Sequence, residues 1–244
     1  MVTFDAVGPS SSGIHSTTSP LTWSHTCAAT ANLILVGVNL SNGTFANVTA
    51  VTYGGIACTL VPGAQVYAGN TGTAGPAQVF ALVNPPTGAN TVSVTATGGF
   101  DIIGGSLSFI AAGSFGTPVK GGSSGGSAAA SVSIVGTTSG GFVVTMVQSG
   151  SGVTSATAPN VSRWITNAGG STAADNAGMS TDPSTGATVT PAWVLVNDTN
   201  AIVGFEILPT GAGGVGILPQ QAKKRMPAIF TRIAAPRRSA VYSR

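Results

Sequence analysis

Leu33-Ile34-Leu35-Val36-Gly37-Val38 is the longest continuous apolar segment of this 244-residue chain. It is rich in branched side chains and far shorter than the roughly 20 apolar residues that a membrane-crossing helix needs. Such a run reads as a β-strand, Asn32 to Leu40, buried in a sheet. Working outward, period-two and short apolar runs recur with turn residues between them, and no stretch keeps a helical period. Candidate strands before it are Val2 to Val7 and Leu21 to Cys27. After it come Val48 to Tyr53, Ile56 to Val61, Ala77 to Val83, Thr91 to Thr97 and Ile102 to Ile110. A second group follows a break: Ala130 to Val135, Gly141 to Val147, Val161 to Thr166, Ala187 to Val196 and Ala201 to Leu208.

Turn chemistry supports these assignments. Tyr53-Gly54-Gly55-Ile56 places two glycines where a primed hairpin turn requires positive φ. Asn84-Pro85-Pro86-Thr87-Gly88-Ala89-Asn90 contains two prolines without an N–H to donate, and reads as a turn. Gly113 to Ser131, centred on Gly121-Gly122-Ser123-Ser124-Gly125-Gly126, reads as a long surface loop rather than an interdomain linker, because too few strands follow it for a second sandwich. Asn167 to Thr185 reads as a second polar loop, too poor in apolar residues to enter the core. The fold class is therefore all-β: one jelly-roll-like antiparallel β-sandwich over residues 1–209.

Charge divides the chain differently. Seven of its nine basic residues, Lys223, Lys224, Arg225, Arg232, Arg237, Arg238 and Arg244, fall in the last 22 positions. The preceding part holds all six acids and only Lys120 and Arg163, so a body of net −4 carries a segment of +7. Only 6% of residues are charged, although 43% are hydrophobic. Gly, Ser, Thr and Ala take the surface positions where Lys and Glu usually maintain solubility, which suits a protein that works in an assembly.

Residues 210–244 are expected to form a Gly-rich hinge and an extended C-terminal docking arm. Pro219, Pro227 and Pro236 prevent a helix of more than two turns. Met226, Ile229, Phe230, Ile233, Val241 and Tyr242 stand between the charges, where a purely solvated tail has no use for them. The apolar residues would anchor the arm in neighbouring subunits, and the bases would steer and select. Nucleic acid is the competing partner for a basic segment. The arm lacks the aromatic spacing of a single-strand binder and the helix of a groove reader, so nucleic acid is not expected.

Several phrases resemble a β-sandwich module that recurs in bacteriophage minor tail and other virion proteins and in some bacterial surface proteins. They are Leu21-Thr22-Trp23-Ser24-His25-Thr26, Asn32 to Val38, Val51-Thr52-Tyr53-Gly54-Gly55, Leu82 to Thr95 and Ala201 to Pro209. The resemblance implies a sandwich over about residues 2–209 and a structural role in a tailed phage virion. A minor tail or tail-tip component comes first and a capsid decoration protein second, in either case assembled with other virion proteins and as a homo-oligomer. It carries no catalytic residue set. Cys27, Cys58 and the basic extension depart from its pattern.

The remaining signals place the chain by exclusion. Met1-Val2-Thr3-Phe4-Asp5 has no basic start or apolar core of an export signal, so synthesis in the host cytoplasm and residence in the virion, without membrane insertion, are expected. In that compartment Cys27 and Cys58 read as two buried thiols. Asn-X-Ser/Thr triplets begin at Asn42, Asn47, Asn160 and Asn197, and without a secretory route they mark only Thr-rich loops.

Gly211 to Gly216 fits G-x-G-x-x-G but opens no helix, and Gly121 to Gly125 fits G-x-S-x-G within a Gly/Ser tract; neither is framed as its chemistry requires. His15 and His25 are the only imidazoles, too few for a multi-histidine metal site, and His25 beside Trp23 reads as a packed strand residue. Asp5 and Glu206 would form a glycosidase-like pair only if the first and last strands are neighbours. No enzyme activity, cofactor or metal is expected. Trp23, Trp164, Trp193, Tyr53 and Tyr67 offer an aromatic platform for sugars, which supports the alternative of a glycan-binding adhesion module at the host surface. A core has first claim on Trp23, Trp193 and Tyr53, which leaves Trp164, beside Arg163, as the surface candidate for glycan contact.

Overall fold

The computed structural model describes residues 1–212, apart from 71, 73, 74, 99, 100 and 169–175. The described residues are all-β, with one 3-10 turn at Phe45–Asn47. The expected antiparallel sandwich is present, built as three stacked sheets. The central sheet has the order β1 (Thr3–Gly8), β10 (Ile102–Ile110), β4 (Ala31–Leu40), β8 (Ala77–Val83) and β7 (Thr59–Val66), and β2 (Ile14–Ser16) also pairs with β10. One flanking sheet runs β3 (Leu21–Cys27), β9 (Gly88–Ala96), β5 (Val48–Tyr53), β6 (Ile56–Ala57). The other runs β11 (Ala112–Phe115), β17 (Ala192–Pro209), β13 (Phe142–Ser149), β16 (Asn176–Pro183), β15 (Val161–Asn167). Here β12 (Val119–Ser131) and β14 (Val153–Ala156) also pair with β17.

The three layers explain the apolar run of β4. Leu33 and Leu35 join Val79, Leu107, Val144, Met146 and Phe205 in the core between the central and third sheets. Their neighbours Ile34, Val36, Val38 and Leu40 join Trp23, Tyr53, Val92 and Val94 on the opposite side. A strand buried on both faces has no position for a polar alternation, so Leu33 to Val38 is apolar throughout. A third cluster, with Val143, Val147, Trp193, Leu195 and Ile202, covers the outer face of the third sheet.

Each tryptophan rests on a strand glycine. A Cβ at Gly104 would lie 2.6 Å from Trp23 Cη2, one at Gly105 2.5 Å from Trp164 Cε2, and one at Gly178 2.9 Å from Trp193 Cη2. Gly105 faces Gly37 across the β10–β4 ladder, and both approach the Trp164 ring, so the pair forms a flat seat for it. Missing side chains therefore let indoles pack on both faces of the central sheet, the usual meaning of a glycine inside a strand.

Both expected long loops are corrected. Gly113 to Ser131 is largely the strand β12, paired with β17 from Val119 opposite Gly204 to Ser131 opposite Ala192. Its small side chains lie mostly at the surface, so the hydrophobic pattern that reveals strands is missing while the backbone ladder is made. The described end of Asn167 to Thr185 is β16, which lies between β13 and β15 and is buried from Asn176 to Asp182. It enters the core with few large side chains because Ala177 and Met179 face the core beneath Trp164, Gly178 seats Trp193, and the hydroxyls of Ser180 and Thr181 are bonded to Thr145 and Arg163. The segments Ala187 to Val196 and Ala201 to Leu208 belong to the one long strand β17. Gly54 and Gly55 adopt φ of 56° and 76°, as the primed turn requires, and the Pro85-Pro86 turn ends where β9 begins at Gly88.

Candidate functional site

Two polar constellations stand out. The first lies between the central sheet and the β3 sheet. Trp23 Nε1–H donates to Ser106 Oγ (2.9 Å), and His25 contacts Ser106 through Nδ1 and Ser108 through Nε2, both at 2.9 Å. Ser108 donates to Asp5 Oδ2 at 2.7 Å, and the same oxygen accepts the Ala28 N–H at 3.1 Å. One assignment satisfies every group: Ser106 O–H donates to Nδ1 of a neutral imidazole, whose Nε2–H donates to Ser108. Tyr53 O–H reaches the carbonyls of His25 and Gly88 at 3.1 Å each.

Alternation places these groups together. In Leu21-Thr22-Trp23-Ser24-His25-Thr26-Cys27 the odd positions are buried and the even ones exposed, which aims Trp23 and His25 at Ser106 and Ser108 of β10. Burial lowers the His25 pKa to about 4, against the pull of the Asp5 carboxylate. Burial likewise pushes the Cys58 thiol up to about 12 and raises that of Cys27. It also raises Tyr53 to about 12, helped by its hydrogen bond with Cys27. The cysteines are unpaired and buried. A serine–histidine–serine–aspartate chain resembles a nucleophile relay in composition, but Ser106 and Ser108 are fully buried and present no oxygen to a substrate. What the network can do is hold an uncharged imidazole between two sheets, as expected of His25.

The second constellation is a cleft of about 460 Å³ on the outer face of the third sheet. Its floor is β17, through Glu206 and Leu208, and its walls are the Gly116–Val119 link and residues 133–138. Alternation along β17 sends Val203, Phe205 and Ile207 into the core and leaves Glu206 on the other face. Glu206 is only 5% exposed, and its Oε1 accepts the Thr138 N–H at 2.6 Å. Val135, at the rim, is 78% exposed.

Other expected site residues fall elsewhere. Trp164 corrects the expectation of a glycan contact: it is wholly buried between the sheets, because β15 turns its ring onto Gly37 and Gly105. The neighbouring Arg163 lies over the Phe4 ring at 3.7 Å and donates to Thr181 at 2.7 Å. Trp23, Trp193 and Tyr53 are core residues, and Tyr67 stacks on Phe45 at 3.8 Å. These aromatics form no common platform. Asp5 and Glu206 serve separate partners in separate layers, and His15 pairs with Asp101 at 3.0 Å. Gly121 to Gly125 lie within β12. The arm residues Lys223, Lys224, Arg225, Ile229, Phe230, Arg232, Ile233, Arg237, Arg238, Tyr242 and Arg244 lie outside the described residues, as does most of Gly211 to Gly216. Among the described residues no group of three or more His, Cys, Asp or Glu is placed to hold a metal, and no helix is long and apolar enough to cross a membrane.

Sequence reasoning missed the cleft. Ile134, Val135 and Thr138 carry no motif, and the one available signal was Glu206, an acid in the otherwise apolar strand Ala201 to Leu208. No family model matches the chain, and neither a curated protein nor a solved structure matches it.

Proposed function

We propose that the chain is a structural protein of a tailed bacteriophage virion, a minor tail or tail-tip component held to neighbouring subunits by its C-terminal arm. The observation that carries this reading is the segregation of charge: a body of net −4 with few charges, followed by +7 interleaved with large apolar residues. The three-layer body supports it, since its indoles and His25 are spent on internal packing. An apolar anchor contributes about 1.5 to 3 kcal/mol per large side chain buried, against roughly 0.2 to 1 kcal/mol for an exposed ion pair. Affinity therefore comes from residues such as Phe230 and Ile233, and selectivity from the bases.

Truncation after Thr210 tests the proposal. Loss of incorporation into particles is expected, and unchanged incorporation would remove the arm as the tether. Copy number separates the two locations within this class: a number matching the capsid lattice would move the protein from the tail to a decoration role. The glycan-binding alternative loses its named contact, since Trp164 is buried.

A further inference from the structure

We propose that the cleft over Glu206 is the socket for the C-terminal arm of a second copy of this chain; the proposal rests on the arm-docking reading above. The chemistry of the cleft is selective. Val119, Ile134, Val135 and Leu208 give it apolar walls, and a single carboxylate lies at its floor. That carboxylate is nineteen-twentieths buried and receives one backbone N–H, and no Lys or Arg among the described residues forms an ion pair with it. A carboxylate has about four acceptor positions, so one that receives a single N–H among the described residues keeps capacity for a cationic ligand. The matching ligand is a cation flanked by large apolar groups. Residues 223–244 supply that pattern repeatedly, in Lys224-Arg225-Met226 and Phe230-Thr231-Arg232-Ile233, with seven bases and no acid. The volume, about 460 Å³, lies within the roughly 300 to 1,000 Å³ of sites that enclose several chemical groups.

Each copy offers both an arm and a socket. Reciprocal exchange of arms therefore makes a two-fold dimer, and sequential exchange a closed ring or a growing row. This gives the basic segment a defined acceptor on the acidic body.

The test uses the full chain. One preparation carries a photoreactive benzoylphenylalanine in place of Val135, whose exposure at the rim lets it change without disturbing the core. It is mixed with uniformly ¹⁵N-labelled wild-type chain, irradiated and digested. Crosslinks from position 135 to ¹⁵N-labelled peptides of residues 221–244 are expected. Crosslinks to unlabelled arm peptides alone would show an arm folded onto its own body, and their absence an unrelated cleft; either overturns the proposal. Glu206→Gln keeps an oxygen for the Thr138 N–H and removes the charge. It is expected to weaken self-association in sedimentation by about tenfold without lowering the urea midpoint, and equal association would count against the socket. If crosslinking fails while truncation after Thr210 still abolishes incorporation, the socket assignment falls and the docking arm stands.

Discussion

Acidification should destabilise this protein through His25. The imidazole is 2% exposed and neutral, and its pKa is lowered from 6.5 to about 4 by burial. Because the folded pKa lies below the unfolded one, the unfolded chain takes up the proton first. Stability is therefore full above about pH 6.5 and is lost as the pH falls toward 4. The fall from 6.5 to about 4, at about 1.36 kcal/mol per pH unit, gives a loss of up to about 3 kcal/mol. Ser106 limits that loss if it turns its hydrogen toward Gly8 O, 3.3 Å away, and accepts from a protonated Nδ1. The assay is urea unfolding at intervals from pH 7 to pH 4 for wild type and His25→Gln. The variant is less stable at pH 7 by a fixed amount, and the gap should close as the pH falls. Asp182 acts in the opposite sense, since burial raises its pKa and acid then favours the folded state, but it is common to both chains and cancels in the difference. A difference that stays flat across this range would refute the neutral, buried imidazole.

Gly105→Ala places a methyl group 2.5 Å from the buried Trp164 ring and should cost about 1 to 3 kcal/mol in urea unfolding, whereas Gly55→Ala, with open space around it, is strained only by its φ of 76°. Trp164→Ala should lower stability by about 3 to 5 kcal/mol, as removal of a buried indole does, and a nearly neutral result would contradict its placement between the sheets. Cys27 and Cys58, buried and with raised pKa values, should react with a thiol reagent at neutral pH only as fast as the chain unfolds; rapid labelling of either would show that its layer opens locally.

What the sequence discloses follows from how each strand is buried. Leu21 to Cys27 alternates because one face meets a core and the other meets solvent, and Ile102 to Ile110 is apolar or small throughout because both faces are covered; both were read with the bounds the structure has. β12 and β16 escaped for different reasons. The first is a Gly/Ser strand on the outside of β17, where the ladder stabilises it and side chains do not. The second packs by having little side chain at all, so that Trp193 can rest on Gly178. Hydrophobic periodicity records what a strand buries of its own and is silent about a strand that makes room for another's tryptophan. Trp164 was misplaced by the same omission: its seat is two glycines in strands far away in sequence, and its neighbours Arg163 and Ile165 gave no hint of them.

The same limit explains why the cleft was invisible while the arm was not. The arm announces itself by composition, since seven like charges in 22 residues need no partner to be noticed. The cleft is made by three segments that only the sheet brings together, and the residue that gives it a charge, Glu206, is conspicuous solely as a lone acid in an apolar strand. An acid at that position would be pointless in a core, and alternation with Phe205 and Ile207 keeps it out of one. Facing outward, it would ordinarily be solvated, yet it is only 5% exposed beside the wall formed by residues 133–138. With the Thr138 N–H as its donor among the described residues, the carboxylate keeps acceptor capacity for a cation. On the proposed reading the body therefore carries acceptor capacity that its own described residues do not use, and a basic arm is the complement that fills it.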